Sequence, residues 1–284
     1  MILAGDLTGK LIIPVVEQAP GSYKCHFLGR DVLADEAGLK GLERKIRDSG
    51  FYPYVTNPNE KAELDANPSK VDELFSQHML KTAQEWMELV EERLAGMDVK
   101  CFIMPGNDDR MEIDTVFKKS SRVINPNGVV VAIDKAREMI SAGYSNITPW
   151  KCPRDIPEEK LAEIVEAMAS QVKDMASCIF NFHCPPYDSG LDTAPKLDSD
   201  LKPVFSMGGE PAKIAAGSVA IRDAIAKYQP LLGLHGHIHE SRGFAKIGRT
   251  LCMNPGSEYT EGILRGAIVN LDEKGIKSYS FTSG

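Results

Sequence analysis

Leu232-Gly233-Leu234-His235-Gly236-His237-Ile238-His239-Glu240 decides how this chain is read. Residues 231–234 read as a buried strand, and two histidines one residue apart follow where it ends. Side chains alternate across an extended strand. His237 and His239 therefore converge on one point only where the chain turns, and Gly236 supplies the freedom for that turn. Neutral imidazole is the commonest protein ligand for transition metals. Three of the six histidines lie within this stretch. A lone His-x-His is weak evidence, so the reading depends on whether other ligand types end other buried strands.

They do. Val99-Lys100-Cys101-Phe102-Ile103-Met104 precedes Pro105-Gly106-Asn107-Asp108-Asp109, and Cys178-Ile179-Phe180-Asn181-Phe182 precedes His183-Cys184-Pro185-Pro186. Ile2-Leu3-Ala4 precedes Gly5-Asp6, and Leu251-Cys252-Met253 precedes Asn254-Pro255-Gly256-Ser257. Each apolar run breaks at a Gly- or Pro-marked turn. Open sheets of buried parallel strands bind ligands just beyond the carboxyl ends of the strands. Asp6, Asn107, His183, His237 and His239 all occupy that position. A carboxylate, an amide oxygen and imidazoles suit manganese, iron or zinc rather than a thiolate site.

These motifs, Gly-Asp at Asp6, Gly-Asn-Asp-Asp at Asn107, Phe-His-Cys-Pro-Pro at His183 and Gly-His-Ile-His at His237 and His239, resemble those of the calcineurin-like metallophosphoesterases, in the family's order and across nearly the whole chain. The resemblance implies a layered α-β-β-α sandwich with two facing mixed sheets. It also implies two divalent ions (Mn, Fe or Zn) bridged by Asp6. Asn107, His183 and His237 complete one ion, and His239 binds the other. A metal-bound water or hydroxide then attacks phosphorus in a small phosphomonoester or phosphodiester. The chemistry is consistent: two ions roughly 3.5–4 Å apart clamp the attacking and departing oxygens, and an anionic bridge offsets their repulsion.

Two departures stand out. Many members carry histidine directly after the motif asparagine, where it contacts phosphate or protonates the leaving group. Here the position is Asp108, a weaker candidate for general acid, and Asp109 orients a neighbour by hydrogen bonding. The family's opening Asp-x-His occurs nowhere in this sequence. The expectation is an N-terminally incomplete domain over residues 1–284, lacking the first strand. The alternatives are a one-metal relative, or ligands recruited from elsewhere. The second ion is then weak or absent, and a non-catalytic metal- or phosphate-binding protein is the competing function. A barrel deaminase also uses His-x-His, but near its amino terminus.

Composition fits an ordinary soluble enzyme, with 284 residues, 43% hydrophobic and 26% charged. The net charge of −7 argues against nonspecific nucleic-acid binding. No apolar run of about 18 residues suggests a membrane span, and no leader is visible. Six scattered cysteines without Cys-x-x-Cys read as reduced thiols of a cytoplasmic protein. Cys184 has no base to activate it other than a histidine assigned to metal. The oligomeric state is open.

Along the chain, residues 11–16 and 23–27 flank Ala19-Pro20-Gly21-Ser22 as a hairpin, with His26 a plain strand residue. Residues 36–48 read as a helix ended by Gly50. Ser69 with Asp72 opens a long helix whose stripe (Val71, Phe75, Met79, Met87, Val90) is core and whose His78 is a rim residue. Asp155-Ile156-Pro157-Glu158 reads as a capping box opening a second helix. A third spans about 218–228, and residues 262–271 with 276–281 close the chain as a hairpin. Loops 148–154 and 187–206 are the substrate-facing candidates. Asn254 reads equally as a brace near the metal ligands, a phosphate contact or a plain turn, and His235 as a structural histidine. Arg110 and Arg154 are candidate phosphate contacts.

Overall fold

Strand β1 (Ile2–Ala4) ends at Gly5 and Asp6, whose φ angles of +110° and +53° turn the chain sharply. In this computed structural model, which describes residues 1–206 and 208–284, the chain is a mixed α/β protein. Residues 1–284, expected as one domain, fall into two compact units. One comprises Met1–Leu7, Leu89–Glu258 and Leu264–Gly284; the other comprises Thr8–Glu88 and Tyr259–Ile263.

The smaller unit contains β2 (Ile12–Ala19), β3 (Ser22–Phe27), β4 (Arg30–Asp35), α1 (Glu36–Asp48), β5 (Tyr52–Thr56) and α2 (Pro58–Ala66). α3 (Pro68–Arg93) follows. The sheet order is β4-β3-β2-β5. The expected hairpin forms, but β2 also pairs in parallel with β5. Period-two alternation sends Tyr23, Cys25 and Phe27 inward onto Val15 and onto Leu42 and Ile46 of α1. Asp35 caps α1 by accepting from Gly38 N at 2.8 Å.

One helix, α2, was not anticipated, and the start of α3 differs from expectation. Asn57 caps α2, with Pro58 in its first turn, and α3 opens at Pro68, where Asn67 rather than Ser69 accepts from Lys70 N. The α3 stripe is core only in part: Met79 and Met87 are buried, whereas Val71 and Trp86 are exposed. His78 stacks on Tyr52 with ring centroids 5.8 Å apart, and exposed His26 pairs with Asp31.

The larger unit resumes with β6 (Cys101–Met104), α4 (Asp114–Phe117), β7 (Val123–Ile124), β8 (Val130–Ala132), β9 (Glu138–Ala142) and α5 (Glu158–Ala169). Next come β10 (Ile179–Phe182), β11 (Thr193–Pro195), β12 (Lys213–Ala215), α6 (Val219–Tyr228) and β13 (Leu232–Leu234). β14 (Gly243–Ile247), β15 (Thr250–Asn254), β16 (Arg265–Asp272) and β17 (Gly275–Ser283) complete it. β1-β6-β7 form one parallel sheet, and β14-β15-β13-β10-β9-β8 form a mixed one. Short runs such as 179–182 lack polar alternation because both faces are covered. Phe180 and Phe182 pack with Leu161, Val165 and Ile221 from α5 and α6. Ile179 points the other way, into a cluster with Phe102 of β6 and with Leu271 and Phe281 of the closing hairpin.

The capping box at 155–158 does not form. α5 begins without a side-chain cap hydrogen bond. Glu158 instead serves α6, accepting from Val219 N and Ala220 N at 3.0 Å each and from Ser218 Oγ at 2.6 Å. A carboxylate there satisfies orphan amides and complements the positive end of the helix. Glu158→Ala is expected to cost about 1–2 kcal/mol, read as a lower chemical-denaturation midpoint with an unchanged slope. An unchanged midpoint would show that water replaces the cap. Among the described residues, no helix is long and apolar enough to cross a membrane.

Candidate metal centre

Parallel pairing carries the ligand-type residues to one end of their strands. Ala4 of β1 lies opposite Met104 of β6, and Asn181 of β10 opposite Leu234 of β13. Asp6 and Asn107 thus leave one sheet, and His183 and His237 the other. The two turns of the first sheet touch through glycine. A Cβ on Gly106 would lie 2.3 Å from both N and Oδ1 of Asp6, and one on Gly5 would lie 2.5 Å from His183 Nδ1. Asp109 ties the same turns, accepting from Leu7 N and from Gly106 N at 2.7 Å. That is the orienting part expected of it.

One ligand atom each of Asp6, His183 and His237 lies within 4.8 Å of the others. Asn107 Oδ1 sits 3.1 Å from His183 Nε2 and 2.9 Å from His237 Nδ1, and Asp6 Oδ2 lies 3.4 Å from His183 Nε2. The hydrogen-bond partners behind these atoms show where the protons are. His183 Nδ1 is 2.7 Å from the Ala4 carbonyl, which only accepts, so Nδ1 holds a proton and Nε2 is the nitrogen turned toward the centre. Asn107 Nδ2 donates to Asp155 Oδ1 at 2.9 Å, leaving Oδ1 inward.

For His237 the chain of inference is longer. Asn146 Nδ2 donates to Ala216 O, so Asn146 Oδ1 faces Ser145 and receives its hydroxyl proton. Ser145 Oγ is thereby placed to accept from His237 Nε2 at 3.2 Å, and His237 Nδ1 is the nitrogen turned toward Asn107 Oδ1 at 2.9 Å. Two imidazole nitrogens, an amide oxygen and a carboxylate converge. With no cation among them the imidazoles hydrogen-bond to Asn107 Oδ1; a cation there would take the place of those protons, and the hard-to-borderline atoms match Mn, Fe or Zn. The electrostatics of the two imidazoles differ. Burial, then the neighbouring His183, push His237 down to about 3. Burial opposes charge on His183 as well, but the charge and hydrogen bond of Asp6, with the Ala4 carbonyl and Asp109, together outweigh it and raise the pKa, which favours the charged imidazole until a cation takes the proton's place.

Backbone conformation marks the same spot. The left-handed φ expected at Gly236 falls on His237, at +64°, with Ile238 N donating to Gly236 O across it. A non-glycine residue centred on such a γ-turn is strained. The turn is held from outside: Asn254 Nδ2 donates to Gly236 O and, at 2.8 Å, to Ile238 O. Asn254 is thus a brace rather than a phosphate contact. His235, pushed down to about 4 by burial, donates from Nδ1 to the carbonyls of Phe182 and Cys184, which flank His183.

Other expected residues lie elsewhere. His239 is half-buried and stands outside the 4.8 Å group. Asp108 N donates to Asp6 Oδ1, and its Oδ1 accepts from Cys152 Sγ at 2.7 Å. Arg154, expected as an exposed phosphate contact, is 1% exposed; it donates to the carbonyls of Asp109 and Arg110 and pairs with Asp114. Arg110 accepts from Arg154 Nη2 through its carbonyl at 3.1 Å. Cys184 is fully buried and pushed up to about 12 by that burial, which removes it as a nucleophile. Ser145, Asn146 and Asp155 were missed. All follow β9, whose run Met139-Ile140-Ser141-Ala142 before Gly143 carries the same strand-then-turn signal as the other four.

Fold and cluster together define a mixed α/β protein with a convergent carboxylate, amide and imidazole set at its strand ends. No family model matches the chain. It is 31% identical over 173 residues to the uncharacterized protein MJ1162 of Methanocaldococcus jannaschii, a stretch spanning 60% of this chain and 69% of that protein. The chain belongs to the same family as that protein. One solved crystal structure aligns over 96% of this chain and 94% of its own, with a TM-score of 0.50 at 17% identity, which shows a shared fold. The protein TT1561 of Thermus thermophilus aligns over 66% of this chain and 73% of its own, with a TM-score of 0.42 and 16% identity.

Proposed function

We propose that the centre holds a divalent cation and that the chain is a metal-dependent hydrolase of phosphomonoesters or phosphodiesters. The observation that carries this is the convergence of the Asp6 carboxylate, the Asn107 amide oxygen and the His183 and His237 imidazole nitrogens on one point. Motif order and the layers described above support a calcineurin-like sandwich as the finer fold. Six free cysteines fit a reducing, cytoplasmic setting, and the proposed substrate is a small phosphate ester.

A cation at this point would supply Lewis-acid stabilisation of charge on the phosphoryl oxygens and bring the pKa of a bound water toward neutrality. The chain's own residues divide the remaining work. Asp6 contributes the anionic charge. Asn107, His183 and His237 present neutral donors, each held by a hydrogen bond on its far side. Asp108 follows Asn107 directly, and its carboxyl is the proposed proton source for the leaving oxygen. For a second cation, Asp6 and His239 are the identified donors. The four-donor position is therefore the tight one.

Titration of chelator-stripped protein with Mn²⁺ or Zn²⁺, followed by assay of bis(p-nitrophenyl) phosphate and p-nitrophenyl phosphate, tests the proposal. Binding of one tight ion and metal-dependent turnover are expected. Absence of binding would remove the centre. Tight binding without turnover of either ester would establish the competing reading, a non-catalytic metal-binding protein.

A further inference from the structure

We infer that Asp155 is a positioning residue that decides which end of the Asn107 amide faces the cation centre; the inference rests on the cation reading above. The two oxygens of Asp155 do different jobs. Oδ2 accepts from Thr148 N and Cys152 N at 2.9 Å each and from Thr148 Oγ1, which closes the loop between these residues. Oδ1 accepts from Asn107 Nδ2 at 2.9 Å, and Arg154 N, one residue earlier, donates to Asn107 O at 3.1 Å. Carboxamide oxygen and nitrogen are nearly equal in size, so shape alone does not set the orientation of Asn107. Only an acceptor behind Nδ2 does. If the amide turned over, its N–H₂ would face Asp155 no longer and would instead meet the imidazole nitrogens. Those N–H groups would occupy the place where a cation needs a lone pair.

Asparagine at 155 gives a specific inversion. Two backbone N–H donors at Thr148 and Cys152 require an oxygen on the loop side, so the new amide must present its N–H₂ to Asn107. Asn107 then turns its own oxygen away from the centre. Asp155→Asn is expected to weaken Mn²⁺ or Co²⁺ binding by about 10–100-fold, the usual range for residues that orient ligands, while the melting transition is kept. The double variant Asn107→Asp with Asp155→Asn restores complementarity: the carboxylate placed at position 107 accepts from the new amide with one oxygen and turns the other inward. It should recover most of the lost affinity, a strong non-additivity between touching residues. Thr148→Val loosens the same loop without touching Asn107 and should bind like the unaltered chain.

Affinity is read by Co²⁺ ligand-field absorption and by calorimetric titration, neither of which needs turnover. Wild-type affinity in Asp155→Asn would overturn the inference. So would a double variant no better than the single one, or a loss in Thr148→Val equal to that in Asp155→Asn. If the unaltered chain binds neither ion, the cation reading itself falls, and this inference with it.

Discussion

Asn107→Ala is expected to abolish tight cation binding, lowering Mn²⁺ affinity by more than about 100-fold. Residues that merely orient a ligand are worth roughly 10–100-fold, so loss of the ligand itself should exceed that range. The structure gives a reason for a large effect. Asn107 Oδ1 lies close to both inward imidazole nitrogens, at 3.1 Å and 2.9 Å. Truncation removes it and also takes the donor from Asp155 Oδ1. Asn107 is 2% exposed, so water does not freely replace the amide. Ester hydrolysis should fall in step, since the charge that stabilises the transition state leaves with the ion. Calorimetric titration together with far-ultraviolet circular dichroism separates loss of binding from loss of fold. Retained affinity in a folded variant would mean that Asn107 is no ligand.

Gly106→Ala is expected to destabilise the larger unit by about 3 kcal/mol or more, at the upper end of overpacking effects. The added methyl would stand 2.3 Å from the backbone nitrogen of Asp6 and from its Oδ1, and 2.8 Å from His183 Cε1. None of these is the free end of a flexible side chain. Relief requires the β1 and β6 turns to separate, which breaks the Asp108 N to Asp6 Oδ1 bond and the Asp109 ties with it. A melting temperature lower by roughly 6–12 °C follows, at about 2–4 °C per kcal/mol for a unit of this size, and cation binding should vanish along with it. Gly41→Ala is the contrast. That glycine lies within α1 with nothing within 4 Å of its added Cβ, so substitution should stabilise by about 0.5–1 kcal/mol. Equal behaviour of the two variants would remove the close-packing argument.

The cluster positions were legible because each pairs a chemical signal with a structural one: a donor-type residue stands directly after a short apolar run. Asp6, Asn107, His183 and His237 were all found in this way, and the structure brings them together. His239 met the same sequence criterion and was expected on a second cation; it stands outside the group formed by Asp6, His183 and His237. The strain was expected at Gly236 on intrinsic preference, but the fold placed it on the ligand itself and braced it with Asn254.

The capping box at 155–158 teaches the complementary lesson. Its residue types were right for a local cap, but better partners were available far along the chain. Asp155 reaches Asn107, 48 positions away, and Glu158 reaches the start of α6, 61 positions away at Val219. Arg154 looked like a surface cation and became the buried clamp of the turn after Asn107. No periodicity or spacing encodes such pairings.

The amino-acid order by itself determined the mixture of helices and buried strands, the points at which they break, and the donor residues set at those breaks, since these depend on backbone preference and burial within a few neighbouring positions. The orientation of the His183 and His237 rings, amide orientation at Asn107, and the division into two units were decided only when distant segments met. A donor atom turns toward a cation when something behind its side chain holds the other end, and here that something is Ala4 at the end of β1 or Ser145 and Asp155 in the segment after β9.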